Sequence, residues 1–365
     1  MGRVTAVNIR ELARSVGYSP ITVSRALKDD RRVRRETRER ILAAARAAGY
    51  RPNPMVSSLM AHIRGAGGRR PGVNLAWLAG DAGAAPWTRD PHRAGYYAGA
   101  RERAGELGFG LDIIATESGA APQRAARILD SRGIAGVVYP PGYWRDNTVP
   151  HTDYAAVILG GWYLGERLHR VFSDYTVNLS TAFHHLLGHG LRRIGLFCSR
   201  AHLVESQGNT YAAFMFNQRL LDAKDHLPPV VVKRAAGPPR RAFERWCAAH
   251  RPDAVLTDFD EMETWCAAGR GSAGPRPVHL DLCGEPAGRW GMDCRHRVQG
   301  RVAIDLLARQ VYHNERAVPA FQEKVLIPGV WAGPAPRGSA DEAAFLRPEW
   351  YDQWVPAPED PGWPM

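Results

Sequence analysis

Three side chains near the start of the chain, Ile21, Thr22 and Arg25, have the spacing of a shared helix face. Val23 and Ala26 would lie on the opposite, apolar face of the same short helix. A small exposed patch with one arginine, on the second of two short helices, is typical of a helix-turn-helix, which presents such a face to the major groove of DNA. The spacing therefore predicts that this patch contacts nucleic acid.

The charge of the chain is concentrated in the same region. Residues 1–70 contain 16 Lys/Arg and 5 Asp/Glu, a net charge of +11. The whole chain also has a net charge of +11, so residues 71–365 carry 32 of each sign and are neutral. A basic module on a neutral body indicates a nucleic-acid reader attached to a unit with another role. A solvated basic tail is the alternative that charge alone leaves open.

The flanking residues predict the helices that must position this patch. An earlier helix would bury one face, formed by Ile9, Leu12, Ala13 and Val16. Gly17 can end that helix in the left-handed conformation, Ser19 is placed to cap the next one, and Pro20 suits its first position. A third helix, from Glu36 to Ala48, would complete a small core. Its inward residues would be Ile41, Leu42 and Ala45.

Length and composition exclude several classes of protein. With 365 residues and 45% hydrophobic content, the chain can form more than one domain with a real core. It contains no run of 18 apolar residues and no signal-peptide pattern, so no membrane contact is expected. The cysteines are odd in number and widely spaced, which argues against a disulfide framework or a zinc site and favours a reducing cytoplasm. They are Cys198, Cys247, Cys266, Cys283 and Cys294.

From Val73 onward short apolar strands alternate with amphipathic helices, a pattern typical of an α/β fold with parallel sheets. The predicted strands are Val73–Leu78, Leu111–Ala115, Gly136–Tyr139, Ala155–Leu159, Ile194–Cys198, Val230–Lys233, Ala254–Thr257 and Val278–Leu282. Helices fall between them, for example Ala94–Leu107 and Ala182–Gly188. Because open parallel sheets bind ligands beyond the carboxyl ends of their strands, ligand contacts are expected just after these strands.

The run VNIRELARSVGYSPITVSRALKDDRRVRRETRERILAAARAAGYRPNP resembles the head of lactose-repressor (LacI/GalR) family transcription regulators. Its TVSRAL core, ETRERI helix start and YRPNP exit match in one register over residues 7–54. The resemblance implies an all-α helix-turn-helix head, a hinge helix and a two-lobed body like that of periplasmic sugar-binding proteins. It also implies a homodimer on a palindromic double-stranded DNA operator, a sugar or related metabolite as the effector between the lobes, and no cofactor.

The resemblance assigns roles to residues of the head. Pro20, Ile21 and Arg25 match base-reading positions, and Arg25 could contact a guanine edge through two hydrogen bonds. Thr22 and Ser24 would hold phosphates together with backbone amides, and simple solvation of these hydroxyls is the alternative. The full predicted DNA-contact set is Ser19, Pro20, Ile21, Thr22, Ser24, Arg25, Arg34, Asn53, Val56 and Leu59.

The chain departs from the family at the start of the third helix. The family usually has Ser or Thr as the cap, whereas this chain has Arg34 followed by Arg35. Loss of a cap lowers stability by about 1 kcal/mol. We expect the four arginines of residues 31–35 to add affinity for the DNA backbone instead, because each neutralised phosphate steepens the salt dependence of binding.

Residues 53–70 are predicted to be a hinge helix followed by a linker. Asn53 and Pro54 open a segment, up to Ile63, that is too short to be stable as an isolated helix. The resemblance implies that it folds on the operator, where Leu59 wedges into the minor groove. Ordinary packing of a short amphipathic helix is the alternative for Leu59.

In the body, FSDYTVN and PDAVLTDFDEM resemble the entry to the second lobe and a later strand-to-helix turn of the family. The predicted effector contacts are Trp87, Tyr143, Trp162, Asp174, Tyr211, Asp260 and Asp293. For each of them, a loop cap or a contact between lobes is at least as strong an interpretation. An arginine that grips the effector in the family corresponds to Thr210 here, so altered ligand chemistry is expected.

Other residue clusters do not favour metal binding or catalysis. His184, His185 and His189 match an ordinary helix and turn of the family, so no metal site is expected. Gly160–Gly161 follows a strand without a GxGxxG pattern or a Walker lysine, and no nucleophile elbow occurs. We therefore expect a regulator that is not an enzyme, and a repressor rather than an activator. The alternative is a carbohydrate-binding or carbohydrate-processing protein with an acquired DNA-binding head.

The expected domains are the head at 1–52, the hinge at 53–70, the body at 71–336 and a C-terminal tail at 337–365. Within the body, one lobe is expected to comprise 71–172 plus 289–318. The other is expected to comprise 173–288 plus 319–336.

Overall fold

The computed structural model describes residues 9–27, 30, 32–48, 50, 73–79, 89–115, 122–141, 154–161, 167–233, 239–267, 274–284, 288–316 and 318–335. The head consists of three helices, α1 (Ile9–Val16), α2 (Pro20–Leu27) and α3 (Arg35–Ala47).

One small apolar core holds these helices together. It contains Leu12, Ala13, Val16, Val23, Ala26, Val33, Ile41 and Ala45. Gly17 joins α1 to α2 at a φ of 72°, a left-handed conformation that glycine adopts without steric cost. The predicted helix-turn-helix is therefore confirmed. Leu42 is only half-buried, and Ala44 packs against the core in its place.

The first lobe contains one sheet in which every strand is parallel to its neighbours. Its strands are β1 (Asn74–Ala79), β2 (Gly110–Ala115), β3 (Ile134–Tyr139), β4 (Ala155–Leu159), β5 (His169–Ser173) and β11 (Lys324–Ile327). Their order is β2-β1-β3-β4-β5-β11. The helices of this lobe are α4 (Pro91–Glu106), α5 (Pro122–Ser131) and α11 (His296–Tyr312).

The second lobe repeats this arrangement. Its strands are β6 (Ile194–Ser199), β7 (Val230–Val232), β8 (Ala254–Thr257), β9 (Arg276–Leu282), β10 (Trp290–Asp293) and β12 (Val330–Ala332). Their order is β7-β6-β8-β9-β10-β12, and only β12 runs antiparallel to its neighbour. The helices are α6 (Tyr175–Gly188), α7 (Arg200–Glu205), α8 (Asn209–Asn217), α9 (Arg240–His250) and α10 (Met262–Ala267).

The continuous apolar runs of the sequence form the central strands of the two sheets. Every residue of β3, β4 and β6 is buried, as expected for parallel strands that are covered on both faces. All eight predicted strands are present within two residues of their predicted ends. The α/β body with parallel sheets is therefore confirmed.

Within its described residues the chain crosses between the lobes three times, always at the carboxyl ends of the parallel strands. It passes from β5 to α6, from β10 to α11 and from β11 to β12. This corrects the expected lobe boundaries at two places. Residues 290–293 belong to the second sheet because β10 pairs with β9, and residues 324–327 belong to the first because β11 pairs with β5.

The helices α4 and α11 approach so closely that side chains are excluded at two points. A Cβ atom on Gly99 would overlap the carbonyl oxygen of Arg297, and one on Gly300 would overlap that of Tyr96. Both positions therefore require glycine for packing, independently of backbone conformation.

Substitution of Gly99 by alanine should lower the free energy of unfolding by about 1–3 kcal/mol, because the added methyl group forces two packed backbones apart. Gly105→Ala on the same helix is the matched control, since a Cβ atom there would meet nothing within 4 Å. That variant should be neutral or up to about 1 kcal/mol more stable. Urea denaturation followed by circular dichroism measures both, and equal effects of the two substitutions would contradict the packing argument.

Candidate functional site

The first turn of α2 is fixed by a side-chain cap. The backbone N–H of Thr22 donates a hydrogen bond to Ser19 Oγ at 3.1 Å, and the two hydroxyl oxygens are 2.9 Å apart. Ser19 is thus the N-cap that its position predicted, and it leaves the Thr22 hydroxyl already partnered. This cap determines how the following residues are presented.

The outward face of α2 presents three of the predicted DNA contacts. Pro20, Ile21 and Arg25 are exposed, and the Ile21 side chain is 64% exposed although it is a large hydrophobic group. Thr22 and Ser24 are half-buried. An exposed isoleucine beside an arginine, on a capped helix, offers one apolar contact and one bidentate donor to a partner surface.

The arginines around the start of α3 differ in their pairing. Arg32 donates to both carboxylate oxygens of Asp30, which lowers the pKa of Asp30 to about 2. Arg35 pairs with Glu39 at 2.8 Å. Arg34 is the N-cap of α3 and makes no side-chain capping bond.

Within the described part of the head, Arg25 and Arg34 therefore form no ion pair, whereas Arg32 and Arg35 do. Of these four arginines, Arg25 and Arg34 are therefore the ones whose guanidinium groups are available for phosphates or bases. The sequence-based expectation treated Arg31, Arg32, Arg34 and Arg35 as equivalent. Arg31 lies outside the described residues, and the pairing distinguishes Arg34 from Arg32 and Arg35.

Six predicted contacts lie outside the described residues. They are Asn53, Val56 and Leu59 of the hinge, and Trp87, Tyr143 and Trp162 of the body. They remain predictions.

Two of the remaining predicted effector contacts occupy the crossovers. Asp174 caps α6, since its carboxylate accepts a hydrogen bond from Val177 N–H at 3.0 Å. Asp293 ends β10, and its carboxylate accepts one from Arg295 N–H at 2.9 Å. Both carboxylates thus bond to nearby backbone N–H groups, in agreement with the capping role given above as the alternative to effector contact.

The other two lie farther along the second lobe. Asp260 follows β8 and is paired with Arg289 at 3.4 Å, and Tyr211 is partly exposed on α8. The described contacts join none of the four predicted residues to another.

The ends of β6 and β8 carry a polar cluster that was not predicted. The Asp258 carboxylate accepts hydrogen bonds from the backbone N–H of Ser199, at 2.7 Å, and from its hydroxyl. Ser199 Oγ in turn accepts one from His202 N–H at 3.0 Å and caps α7. His202 Nε2 lies 3.0 Å from Thr210 Oγ1, and the ring packs edge-on against Tyr175.

Burial lowers the pKa of His202, so its imidazole is neutral. The Thr210 hydroxyl is thus bonded to His202 inside the second lobe. The family resemblance places an arginine at this position. The rule that ligand residues follow strands would have selected Ser199 and Asp258, since they end β6 and follow β8.

A second unpredicted pair lies at the carboxyl end of β9. An Asp281 carboxylate oxygen is 3.1 Å from His296 Nε2 at the start of α11. Burial would lower the pKa of His296, but the adjacent carboxylate outweighs it and raises that pKa to about 10. Partial desolvation would raise the pKa of Asp281, but the adjacent His296 imidazolium holds it well below the usual range. The pair is therefore ionic at neutral pH.

An open cavity of 720 Å³ lies at the opposite end of the second lobe, beside the amino-terminal ends of β8, β9 and β10. Trp290 lines it, with the Arg276 guanidinium 4.8 Å from the indole ring. Asp253 and Glu263 also line it. The Asp253 carboxylate accepts hydrogen bonds from backbone amides, and the Glu263 carboxylate contacts His279. It is remote from the crossovers and contains none of the predicted effector contacts.

In the described part of the chain, no three His, Cys, Asp or Glu side chains form a group that could hold a metal ion. His184 bonds the Ser180 carbonyl oxygen, and the rings of His185 and His189 pack on Trp331 and Trp290. All five cysteines have free thiols. The helices of the described residues include none with the length and apolar character needed to cross a membrane.

Comparison with known proteins separates the head from the body. Residues 8–53 match the sequence model of the family described as bacterial regulatory proteins, lacI family. The HTH-type transcriptional regulator AglR of Rhizobium meliloti (strain 1021) is 53% identical over 47 residues, which are 13% of each chain. The sucrose operon repressor of Escherichia coli is 32% identical over 152 residues, 42% of this chain and 43% of the repressor. The match thus spans less than half the length of that relative.

Solved structures show the same fold over most of the chain. A transcriptional regulator CelR–cellobiose complex is 18% identical, with 91% of this chain and 99% of that chain covered at a TM-score of 0.53. The lac repressor bound to ONPG in the repressed state is 16% identical, with 91% and 100% covered at a TM-score of 0.52. At these identities the likeness concerns the fold alone.

The Asp281–His296 pair makes stability depend on pH. Because the pKa of His296 rises from 6.5 in the unfolded chain to about 10 in the folded one, its contribution is complete below pH 6.5 and is lost as the pH rises towards 10. Between pH 7 and 8.5 the free energy of unfolding should therefore fall, by up to about 1.4 kcal/mol per pH unit.

Urea unfolding at several pH values in this window measures the slope. His296→Gln should flatten it, whereas His184→Gln should leave it unchanged in this window, because burial lowers the pKa of His184. A slope that survives His296→Gln would show that another group titrates.

Proposed function

We infer that this chain, whose residues 8–53 belong to the lacI family of bacterial regulatory proteins, is a sequence-specific DNA-binding transcriptional regulator that acts as a repressor. The observation that carries this proposal is the outward face of α2, where a side-chain cap presents Ile21 and Arg25 to the surrounding solvent. The match of residues 8–53 to the lacI family supports the interpretation of this exposed face, with its one apolar and one cationic side chain, as the DNA contact.

We propose that the regulator binds DNA as a homodimer. One small head reaches only a few base pairs, and two heads related by a two-fold axis read a palindromic site. The hinge residues Asn53, Val56 and Leu59 belong to this proposal as minor-groove contacts.

The body is proposed to bind a small sugar-type effector between its lobes. The support is indirect: the sucrose operon repressors match part of the chain, and structures with the same fold contain cellobiose or ONPG. Carboxylate, hydroxyl and imidazole groups of both lobes lie at or just after the carboxyl ends of strands, including Asp174 after β5, Ser199 at the end of β6 and His296 after β10. Such groups are suited to hydroxyl-rich ligands. Effector and DNA would then be coupled through the lobe geometry, as allostery requires.

Selection of bound duplexes from a random pool by the full chain tests the proposal. A site with two-fold symmetry should be recovered, and sucrose or cellobiose should change its recovery if either is close to the effector. Arg25→Ala should weaken binding to the selected site by about 1–3 kcal/mol and relax the preference at one symmetric base pair, because a bidentate base contact is lost. Recovery of no sequence preference by the wild-type chain would overturn the proposal.

Arg34 and Arg35 provide a matched pair for the phosphate contacts. Arg34→Ala should weaken binding to all duplexes and reduce the slope of log affinity against log salt by about one, because an unpaired cation is removed. Arg35→Ala should have a smaller effect, since Glu39 already neutralises that side chain. Fluorescence anisotropy on selected and scrambled duplexes at several salt concentrations measures both slopes, and equal slopes would argue against the pairing.

A further inference from the structure

Two hydrogen bonds join the lobes through residues outside the crossovers. In one, the Gln207 side chain, just after α7, donates a hydrogen bond to the carbonyl oxygen of Gly161 beyond β4, at 3.2 Å. In the other, Cys283 Sγ, just after β9, donates to the carbonyl oxygen of Pro91 in α4, at 3.3 Å. Neither contact involves a full charge, so each is easily exchanged for water.

The Asp281–His296 pair belongs to the second of these contact regions and is different in kind. Asp281 is part of β9 in the second lobe, whereas His296 is the first residue of α11 in the first lobe. The His296 side chain is 2% exposed and that of Asp281 is 33% exposed. A charged pair with one buried partner is sensitive to geometry, because loss of either group leaves the other charge without compensation.

His296 is fixed against the first lobe by its neighbours. Its ring lies 4.8 Å from that of His92 and 4.7 Å from that of Tyr96, both on α4. Gly95 makes room for this packing, since a Cβ atom there would be 3.2 Å from His296 Cβ. The imidazole therefore moves with α4.

The helices α4 and α11 themselves form one unit. Glu102 and Glu106 on α4 pair with Arg297 and Arg301 on α11, at 2.9 Å for the shortest contacts. With the glycine contacts between the two backbones, these pairs keep His296 in register with α4. Separation of the lobes must consequently break the Asp281–His296 pair rather than displace the start of α11.

We propose that the Asp281–His296 ion pair is a latch between the lobes that sets the free energy of opening the effector cleft. The proposal rests on the proposed function, because it assigns a regulatory role to the region where the effector is proposed to bind. Substitution of either partner shifts the population toward the open arrangement, and a ligand that bridges the lobes competes with the latch or reinforces it. The titratable side chains that face or influence the pair are His92, Tyr96, Tyr175, His202, Cys283 and Cys294.

The native thiols report opening without an added label. Cys283 is next to the latch and bonds to Pro91 of the other lobe, whereas Cys247 lies on α9, inside the second lobe. Iodoacetamide alkylation of the full chain, read by mass spectrometry, gives both rates in one experiment. Asp281→Asn and His296→Gln should each increase the rate at Cys283 at least tenfold and leave that at Cys247 unchanged.

Asp253→Asn is the matched control, because the Asp253 carboxylate is bonded to the backbone amides of Arg192 and Arg193 within the second lobe. It should leave the ratio of the two alkylation rates at the wild-type value. A double variant, Asp281→Asn with His296→Gln, should open no further than either single variant, since both remove the same interaction.

Three outcomes decide the proposal. An unchanged Cys283 rate in Asp281→Asn and His296→Gln would overturn the latch, and so would equal acceleration at Cys247, which would indicate general unfolding. The regulatory role requires that the latch variants change affinity for the selected duplex at least threefold while Asp253→Asn does not. Failure of the wild-type chain to select any duplex would overturn the proposed function, and the alkylation ratio would still decide whether the latch exists.

Discussion

The close approach of α4 and α11 is the constraint on which the body depends. The helix α11 follows the last parallel strand of the second lobe, yet it packs in the first, so the chain must return across the boundary at a fixed place. Gly99 and Gly300 allow the two backbones to touch, and the helices bury Ala100, Ala303 and Leu307 between them and the sheet. Because this contact fixes the start of α11, it also fixes the second crossover and the position of His296 beside it.

The two lobes are each stabilised by their own apolar cores, and the polar groups collect where the lobes meet. Parallel strands expose their carboxyl ends at one edge of each sheet, and this edge also contains the crossovers. Ser199 with Asp258 and Asp281 with His296 lie there, in hydrogen-bonded or ionic pairs rather than in apolar contacts. The cores therefore stabilise each lobe, and of these two pairs Asp281–His296 is the one that joins the lobes to each other.

Local patterns in the sequence predicted the head and most strands because each depends on neighbouring residues. A helix face, a cap and a glycine turn are read within about two turns of chain, so Ser19, Gly17 and α2 were found. The missed strand β5 contains His169 and Arg170 and lacks the apolar run that marks its neighbours. The strands β10, β11 and β12 have only three or four residues each, and without them the lobe boundaries were placed wrongly.

The site in the body was harder to predict for a related reason. Its pairs join residues far apart in the sequence, such as Ser199 with Asp258, and their identity depends on strand order, which no local pattern contains. Asp281 did give a signal, since a carboxylate within the apolar run VHLDL is unusual, but its partner on α11 could be identified only from the packing of the two lobes.

A charged pair is a suitable contact for a boundary that must open. An apolar boundary of the same size would favour closure in proportion to the buried area, with nothing gained on separation. When Asp281 and His296 separate, both groups recover hydration, which offsets part of the attraction that is lost. The pair therefore specifies one geometry, and its separation costs less than the bare attraction between the two charges would. A ligand of ordinary affinity can shift the populations of two lobe arrangements that differ little in free energy. A change in the lobe arrangement can then alter DNA binding by the distant head.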